Sequence, residues 1–279
     1  MSVWRFDGKR AIVTGCSSGM GQEVVRELVE LGAAVTGLDL APPSVALQQY
    51  VQIDLSDAAS IDAAVAQLTG PYDVLFNCAG ISGAFDPMKV MAVNFLGMRH
   101  LTEAVVPHLR EGSAVAGISS TAAVGYEERM ADLLDFLETK TFDEGLRWCE
   151  KHPEQFAKGG YAFSKGAVIV YSMLSAVEHA PRNIRFNTIG PGVTDTPFLD
   201  DTRRKIGEEG LARIPKPLGR LARPEEQARV LVFLNSDAAS YLTGQNIWVD
   251  AGFMAGAVTG TIDGSLLGYN RRPSQPLGG

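Results

Sequence analysis

"RAIVTGCSSGMGQEVVRELVELG", residues 10–32, decides the fold. It opens on a short β-branched and apolar run, Arg10 to Gly15, which reads as a strand ending in glycine. It closes on a helix over 21–32, amphipathic through Val24, Val25, Leu28 and Leu31, with Gly32 as its stop. Between them lies "TGCSSGMG", with Gly15, Gly19 and Gly21 separated by Ser17, Ser18 and Met20. Glycines there permit a tight turn and close backbone approach. A helix N-terminus directly behind such a turn offers free N–H groups and partial positive charge, which suits a pyrophosphate. The position between strand and helix is what makes the glycine pattern a dinucleotide signal rather than a plain turn.

The same alternation continues outward. Strand patterns recur at 33–40, 50–56, 72–80, 113–119, 184–192 and 245–252, with helical patterns at 60–68, around 90–110 and after Tyr161. Strands that are continuously apolar and alternate with helices predict an α/β fold of the Rossmann type: a doubly wound parallel sheet covered on both faces. Ligands of such sheets bind beyond the carboxyl ends of the strands, so the polar and small residues there are candidates. Asp39 ends the second strand, 18 residues after Gly21, where a carboxylate accepts hydrogen bonds from ribose hydroxyls and repels a 2′-phosphate. No base follows it, only Leu40, Ala41 and Pro42, so NAD is favoured over NADP. Asp54, with Leu55 beside it, ends the third strand and either meets the adenine or caps the next turn. Asn77 opens "NCAG" at the end of the fourth, where Ala79 and Gly80 are small enough for a nucleotide to pack on the backbone.

Composition excludes several classes. Apolar residues make up 46% and charged residues 20%, a globular mixture in which 279 residues suffice for one domain spanning 1–279. A net charge of −7 without basic runs gives no nucleic-acid footprint. Three scattered cysteines and four scattered histidines give no metal-ligand spacing. The N-terminus lacks an apolar signal core, and no stretch is long enough to span a bilayer, so a cytoplasmic protein without membrane contact is expected.

"YAFSK", 161–165, places a phenol and an ammonium one helical turn apart at a helix entry. A nearby positive charge favours phenolate and brings the phenol's pKa toward working pH. These motifs, with Asn94 in "VNFLG", "ISS" (118–120), "PGVTDT" (191–196) and "VDAG" (249–252), occur in the order that resembles the short-chain dehydrogenase/reductase family, over roughly residues 5–252. That resemblance implies a catalytic set of Asn94, Ser120, Tyr161 and Lys165. Tyr161 is then the acid/base and Ser120 holds the substrate oxygen, with Ser119 as the alternative serine. Lys165 lowers the phenol's pKa and holds the nicotinamide ribose. Asn94 holds a proton-relaying water. Pro191, Gly192, Val193 and Thr196 line the cofactor, the last two at the carboxamide. It also implies a small alcohol or ketone as substrate and a homodimer or homotetramer. A non-catalytic dinucleotide-binding regulator is the rival reading, against which the complete Ser–Tyr–Lys set stands.

The segment between Ser120 and Tyr161 is several times longer than in most members of that family. Met130, Leu133, Leu134 and Leu137 form one helical stripe; Phe142, Leu146 and Cys149 form another behind a capping box at "TFDE" (141–144). A helical hairpin over about 126–159 follows. It resembles the insertions of bacterial 3α-hydroxysteroid dehydrogenase/carbonyl reductase and coniferyl alcohol dehydrogenase, which implies a bulky hydrophobic alcohol; altered subunit packing is the other reading. Residues 197–220 are read as a substrate lid, and 253–279 as a tail that is either loosely ordered or packed on a neighbouring subunit.

Overall fold

The computed structural model describes residues 3–157 and 159–265. Seven strands form one wholly parallel sheet in the order β3-β2-β1-β4-β5-β6-β7. They are β1 (Arg10–Thr14), β2 (Ala34–Asp39), β3 (Gln49–Gln52), β4 (Tyr72–Asn77), β5 (Leu109–Ile118), β6 (Arg185–Pro191) and β7 (Gln245–Val249). Side chains alternate between the two faces, as the pleat requires. Along β1, Ala11 and Val13 join Val24, Val25 and Leu28 of α1 (Gly19–Glu30) and Leu231 of α9 (Pro224–Asn235). Ile12 points the other way, into the core with Phe95, Leu101 and Phe163. The chain order reverses between β1 and β4, so the loops leaving those two strands diverge and open a crevice at their carboxyl ends.

The helix expected around 90–110 is shorter and compound. It runs as α3 (Pro87–Met91), a π-helical turn (Ala92–Gly97) and α4 (Met98–Val105), with α2 (Ala58–Val65) packed beside α4. Strand β5 already begins at Leu109, four residues before its expected start, because "VPH" at 106–108 turns the chain back toward the sheet. π-helical turns concentrate at functional positions, and this one carries Asn94.

The long segment before Tyr161 folds as α5 (Met130–Leu137) and α6 (Phe142–Lys151). The inward stripe of α5 differs from the expected one. Leu133 and Phe136 are buried, whereas Leu134 is 40% exposed. The reason is aromatic: the Phe136 ring lies 5.1 Å from Phe95, 4.9 Å from Trp148 and 5.5 Å from Phe163. The Thr141 cap forms, its Oγ1 accepting from the Glu144 N–H, but Glu144 reaches back to the N–H of Lys140 rather than of Thr141. Helix α7 (Tyr161–Glu178) follows, then α8 (Pro197–Arg213), which bends at Gly207, where φ is 71° and ψ 171°. That backbone conformation is nearly exclusive to glycine. Of the expected tail, α10 (Phe253–Thr259) is helical and packs Phe253 and Ala257 inward; residues 266–279 lie outside the described residues. No described helix is long and apolar enough to cross a membrane. Among the described residues, no three His, Cys, Asp or Glu side chains come together as a metal site would require.

Candidate active site

At the carboxyl ends of the strands lies a cavity of about 530 Å³. Its floor is set by β5 and α7. Ile118 ends β5 with Ser120 two residues beyond it, and Tyr161 and Lys165 share the first turn of α7, which no side chain caps. The Tyr161 ring meets the Phe198 ring, at the start of α8, with centroids 5.8 Å apart. Lys165 is 4% exposed, and its Nζ donates to the carbonyl of Ile118 at 2.9 Å. Gly80 stands opposite: a Cβ there would lie 3.5 Å from Lys165 Nζ. A side chain at 80 would therefore cover the ammonium.

The two serines separate cleanly. Ser119 is buried, and its hydroxyl is committed to the carbonyl of Lys165 at 2.8 Å. Ser120 remains at the cavity. Its Oγ accepts from the Ala122 N–H and its hydroxyl acts on the Tyr161 phenol. Burial pushes that phenol up to about 12, with Ser120 working in the opposite direction. Burial also pulls the Lys165 ammonium down to about 8. Lys165 was expected to lower the phenol's pKa; here desolvation governs both groups. One N–H of the ammonium goes to Ile118, and Nζ sits 5.7 Å from the phenol ring centroid.

Asn94 does not reach the cavity. Its amide closes a pair of hydrogen bonds with the backbone of Ile81, accepting from the N–H at 2.7 Å and donating to the carbonyl at 2.9 Å. It fixes the Gly80–Ile81 turn with one acceptor site of Oδ1 and one of the two N–H groups of Nδ2. Asn77 is likewise turned away, its Nδ2 on Thr102 Oγ1 of α4 at 2.8 Å. Cys78 lines the cavity in its place, with Gly80 and Gly83. Thr14 ties the two loops together, a role the sequence reading missed. Its Oγ1 accepts from the N–H groups of Cys78 and Ala79 at 3.0 and 3.1 Å. The available signal was its place at a strand end immediately before the glycine loop.

Gly15 and Gly19 have φ of 68° and 55°. A Cβ on Gly15 would come within 2.8 Å of the Ala79 backbone, and one on Gly19 would touch Thr196. Ser18, at the N-cap of α1, makes no side-chain cap, and the first turn holds no acidic side chain. The helix end therefore offers its N–H groups and partial charge to an anion. Met20 lines the cavity, as do Pro191, Gly192, Val193 and Thr196 from the turn after β6. The adenosine end is arranged differently from expectation. Asp39 accepts from the Ser17 N–H at 2.9 Å and from its hydroxyl at 2.7 Å, so the carboxylate also braces the loop. Leu40 beside it is 61% exposed. Asp54 caps its own turn: Oδ1 accepts from the Ser56 N–H and hydroxyl at 2.8 and 2.6 Å, which holds its carboxyl below the usual range. Leu55 is buried, its carbonyl against Gly97 of the π-helical turn.

Residues 9–131 match the short chain dehydrogenase family, and residues 153–254 match the family described as enoyl-(acyl carrier protein) reductase. The chain is 36% identical over 251 residues to coniferyl-alcohol dehydrogenase of Pseudomonas sp. (strain HR199 / DSM 7063), covering 89% of this chain and 97% of that one. It is 32% identical to 3-alpha-hydroxysteroid dehydrogenase/carbonyl reductase of Comamonas testosteroni, over 88% and 96% of the two chains. Among solved structures, the 3-alpha-hydroxysteroid dehydrogenase of Pseudomonas sp. B-0831, complexed with NADH, superposes with a TM-score of 0.77 at 26% identity, covering 91% of this chain and 99% of that one. Identity of this extent over nearly the whole length, on the same sheet, leaves one conclusion: the chain belongs to the short-chain dehydrogenase/reductase family of nicotinamide-using oxidoreductases and is an enzyme acting on CH–OH groups or their carbonyls.

Proposed function

We propose that the enzyme is NAD(H)-dependent and interconverts a bulky, hydrophobic secondary or aryl-allylic alcohol and its carbonyl. One observation carries this reading: Ser120, Tyr161 and Lys165 converge on the same cavity as Met20 of the glycine loop and the 191–196 turn. A dinucleotide would be held at its pyrophosphate by the Gly15–Gly21 loop, at its ribose hydroxyls by Asp39 and Lys165, and at its carboxamide by Val193 and Thr196. Bound there, it supplies or accepts the hydride at the substrate carbon.

Tyr161 takes the substrate hydroxyl proton in oxidation and returns it in reduction. Ser120 donates to the same oxygen, so the developing alkoxide meets donors already in place. Asn94 acts at one remove, by fixing the Gly80–Ile81 wall. The NAD preference rests on the Asp39 carboxylate, which Ser17 fixes at the strand end where a 2′-phosphate would have to sit. Phe198, Leu199, Ile206 and Ile214 give the substrate end apolar walls. The 36% identity to a coniferyl-alcohol dehydrogenase favours an aryl-allylic alcohol within this class. Three free cysteines among the described residues support a cytoplasmic setting, and the exposed Leu174 and Val177 of α7 support a homodimer or homotetramer.

The test is absorbance at 340 nm with NAD and with NADP across hydroxysteroids, aryl-allylic alcohols and alicyclic alcohols. NAD-linked turnover on one class is expected. Tyr161→Phe should lower kcat by about 10²–10⁴-fold while NADH still binds. Near-normal turnover in that variant ends the assignment of Tyr161, and a wild-type preference for NADP ends that of Asp39.

A further inference from the structure

The cavity has a charge pattern that the oxidoreductase reading alone does not explain. The chain is acidic, with 32 Asp and Glu against 25 Lys and Arg, yet among the described residues no carboxylate lines the cavity. Two ammonium groups of the described residues do, Lys165 and Lys205. Lys165 is buried at the floor and bonded to Ile118. Lys205 is exposed at the opposite end, on α8.

Its neighbours on α8 are neutralised within the helix. Arg203 pairs with Asp200 at 2.6 Å and with Glu208 at 2.7 Å, and Arg204 pairs with Asp201. Among the described residues, Lys205 has no carboxylate within ion-pair distance. It reaches across the mouth instead, donating to the main-chain carbonyl of Gly83 in the loop after β4. A carbonyl partner leaves an ammonium un-neutralised, with its other N–H groups open to a ligand at the rim of the cavity. Ile206 and Phe198 flank it on the same element and bring the low-dielectric walls that strengthen such a contact when substrate displaces water.

We propose that Lys205 is a specificity-determining residue for substrates bearing an anionic group, a carboxylate, at the end remote from the reacting CH–OH. The substrate is then amphipathic: a hydroxyl or carbonyl at Ser120 and Tyr161, an apolar middle against Phe198 and Ile206, and a carboxylate at Lys205 in exchange for the Gly83 carbonyl. This rests on the proposed alcohol dehydrogenase reading and narrows its substrate class.

The experiment compares 4-(1-hydroxyethyl)benzoate with its uncharged carboxamide. These differ in charge at the remote end and share the reacting carbon. Wild type should favour the carboxylate in kcat/KM. In Lys205→Gln the carboxylate-to-carboxamide ratio should fall about tenfold, the size of one charge-assisted contact. Lys205→Arg should keep the ratio and Lys205→Glu should invert it. Equal losses on both substrates would mean that Lys205 is only a latch between α8 and the Gly83 loop, and would overturn the proposal. So would a wild-type preference for the carboxamide. Binding is read apart from turnover, by calorimetry of 4-acetylbenzoate and 4-acetylbenzamide on Tyr161→Phe enzyme carrying NADH. A Lys205-dependent preference there supports the proposal even if neither alcohol is oxidised, an outcome that counts against the reaction assignment alone. No preference there overturns it.

Discussion

At the residue scale, the site turns on two groups that burial drives in opposite directions. Lys165, taken down to about 8, binds fewer protons folded than unfolded between that value and its ordinary 10.5. Stability therefore rises with pH across that interval, because the unfolded state is the more protonated one. Tyr161, raised from 10.0 to about 12, stays neutral when folded while the unfolded phenol ionises. The folded state is then the more protonated one, and stability falls as pH passes through about 10 to 12. Lys165→Met removes the first effect and leaves the second. Thermal unfolding at pH 7, 8.5 and 10 should show the variant most stabilised relative to wild type at pH 7, with the gap closing by pH 10. A gap independent of pH would mean that Lys165 is not desolvated as its place beneath Gly80 requires. The sequence made this pair visible because a phenol and an ammonium one turn apart need only helix geometry. It did not make visible the commitments of Asn94 to Ile81 or of Asp39 to Ser17. Those depend on which loops the fold brings together, and spacing carries no trace of that.

At the element scale, the helical pair α5–α6 was legible as a hairpin but not as a support for α7. Its stripes and its Thr141 cap follow from periodicity and local capping. Its direction was set by tertiary contacts. Trp148 of α6 donates from Nε1 to Asp135 of α5 at 2.6 Å and stacks on Phe163, two residues beyond Tyr161. Among the described residues of the hairpin, Gly159, at its end, is the one that lines the cavity. The pair thus bears on the reaction by holding the helix that carries Tyr161 and Lys165. Its anchor is Arg99 of α4, 3% exposed, which donates to the Thr139 carbonyl at 2.8 Å and the Thr141 carbonyl at 3.2 Å. Arg99→Met removes those charge-assisted bonds, together with the guanidinium whose carbon lies 5.5 Å from the Phe95 ring centroid, and leaves an apolar side chain in its place. The expected cost is about 2 kcal/mol, concentrated at the α5–α6 junction. Limited proteolysis should then cut first near residues 138–141, and kcat should fall more than NADH affinity. Unchanged cleavage there would mean that the aromatic cluster alone holds the hairpin.

At the scale of the whole molecule, the cavity is assembled from both halves of the sheet. The glycine loop and Gly80 come from the strands on either side of the β1/β4 reversal. Ser120, Tyr161 and the 191–196 turn come from β5, α7 and β6. A dinucleotide spanning them would couple elements that meet only at a few points, such as Gly19 against Thr196. Helix α8 depends most on that coupling. It starts at Thr196 without a side-chain cap, bends at Gly207, and buries only Leu199 and Leu211. Ligand that binds the folded state alone stabilises it by RT ln(1 + [L]/Kd), about 2.7 kcal/mol at a hundredfold excess over Kd. Segments that open locally gain protection only where opening breaks ligand contacts. Amide hydrogen exchange with saturating NADH should therefore slow across residues 14–21, 78–84 and 191–214. The opposite end of the sheet, around the Lys9–Asp237 and Arg110–Asp73 ion pairs, should change little, because opening there touches no ligand contact. On the proposed NAD preference, NADPH at the same concentration should give weaker protection in the first segment, which Asp39 braces through Ser17. Uniform slowing over the whole chain would instead mean that the sheet opens as one cooperative unit, and that α8 is no looser than the strands beneath it.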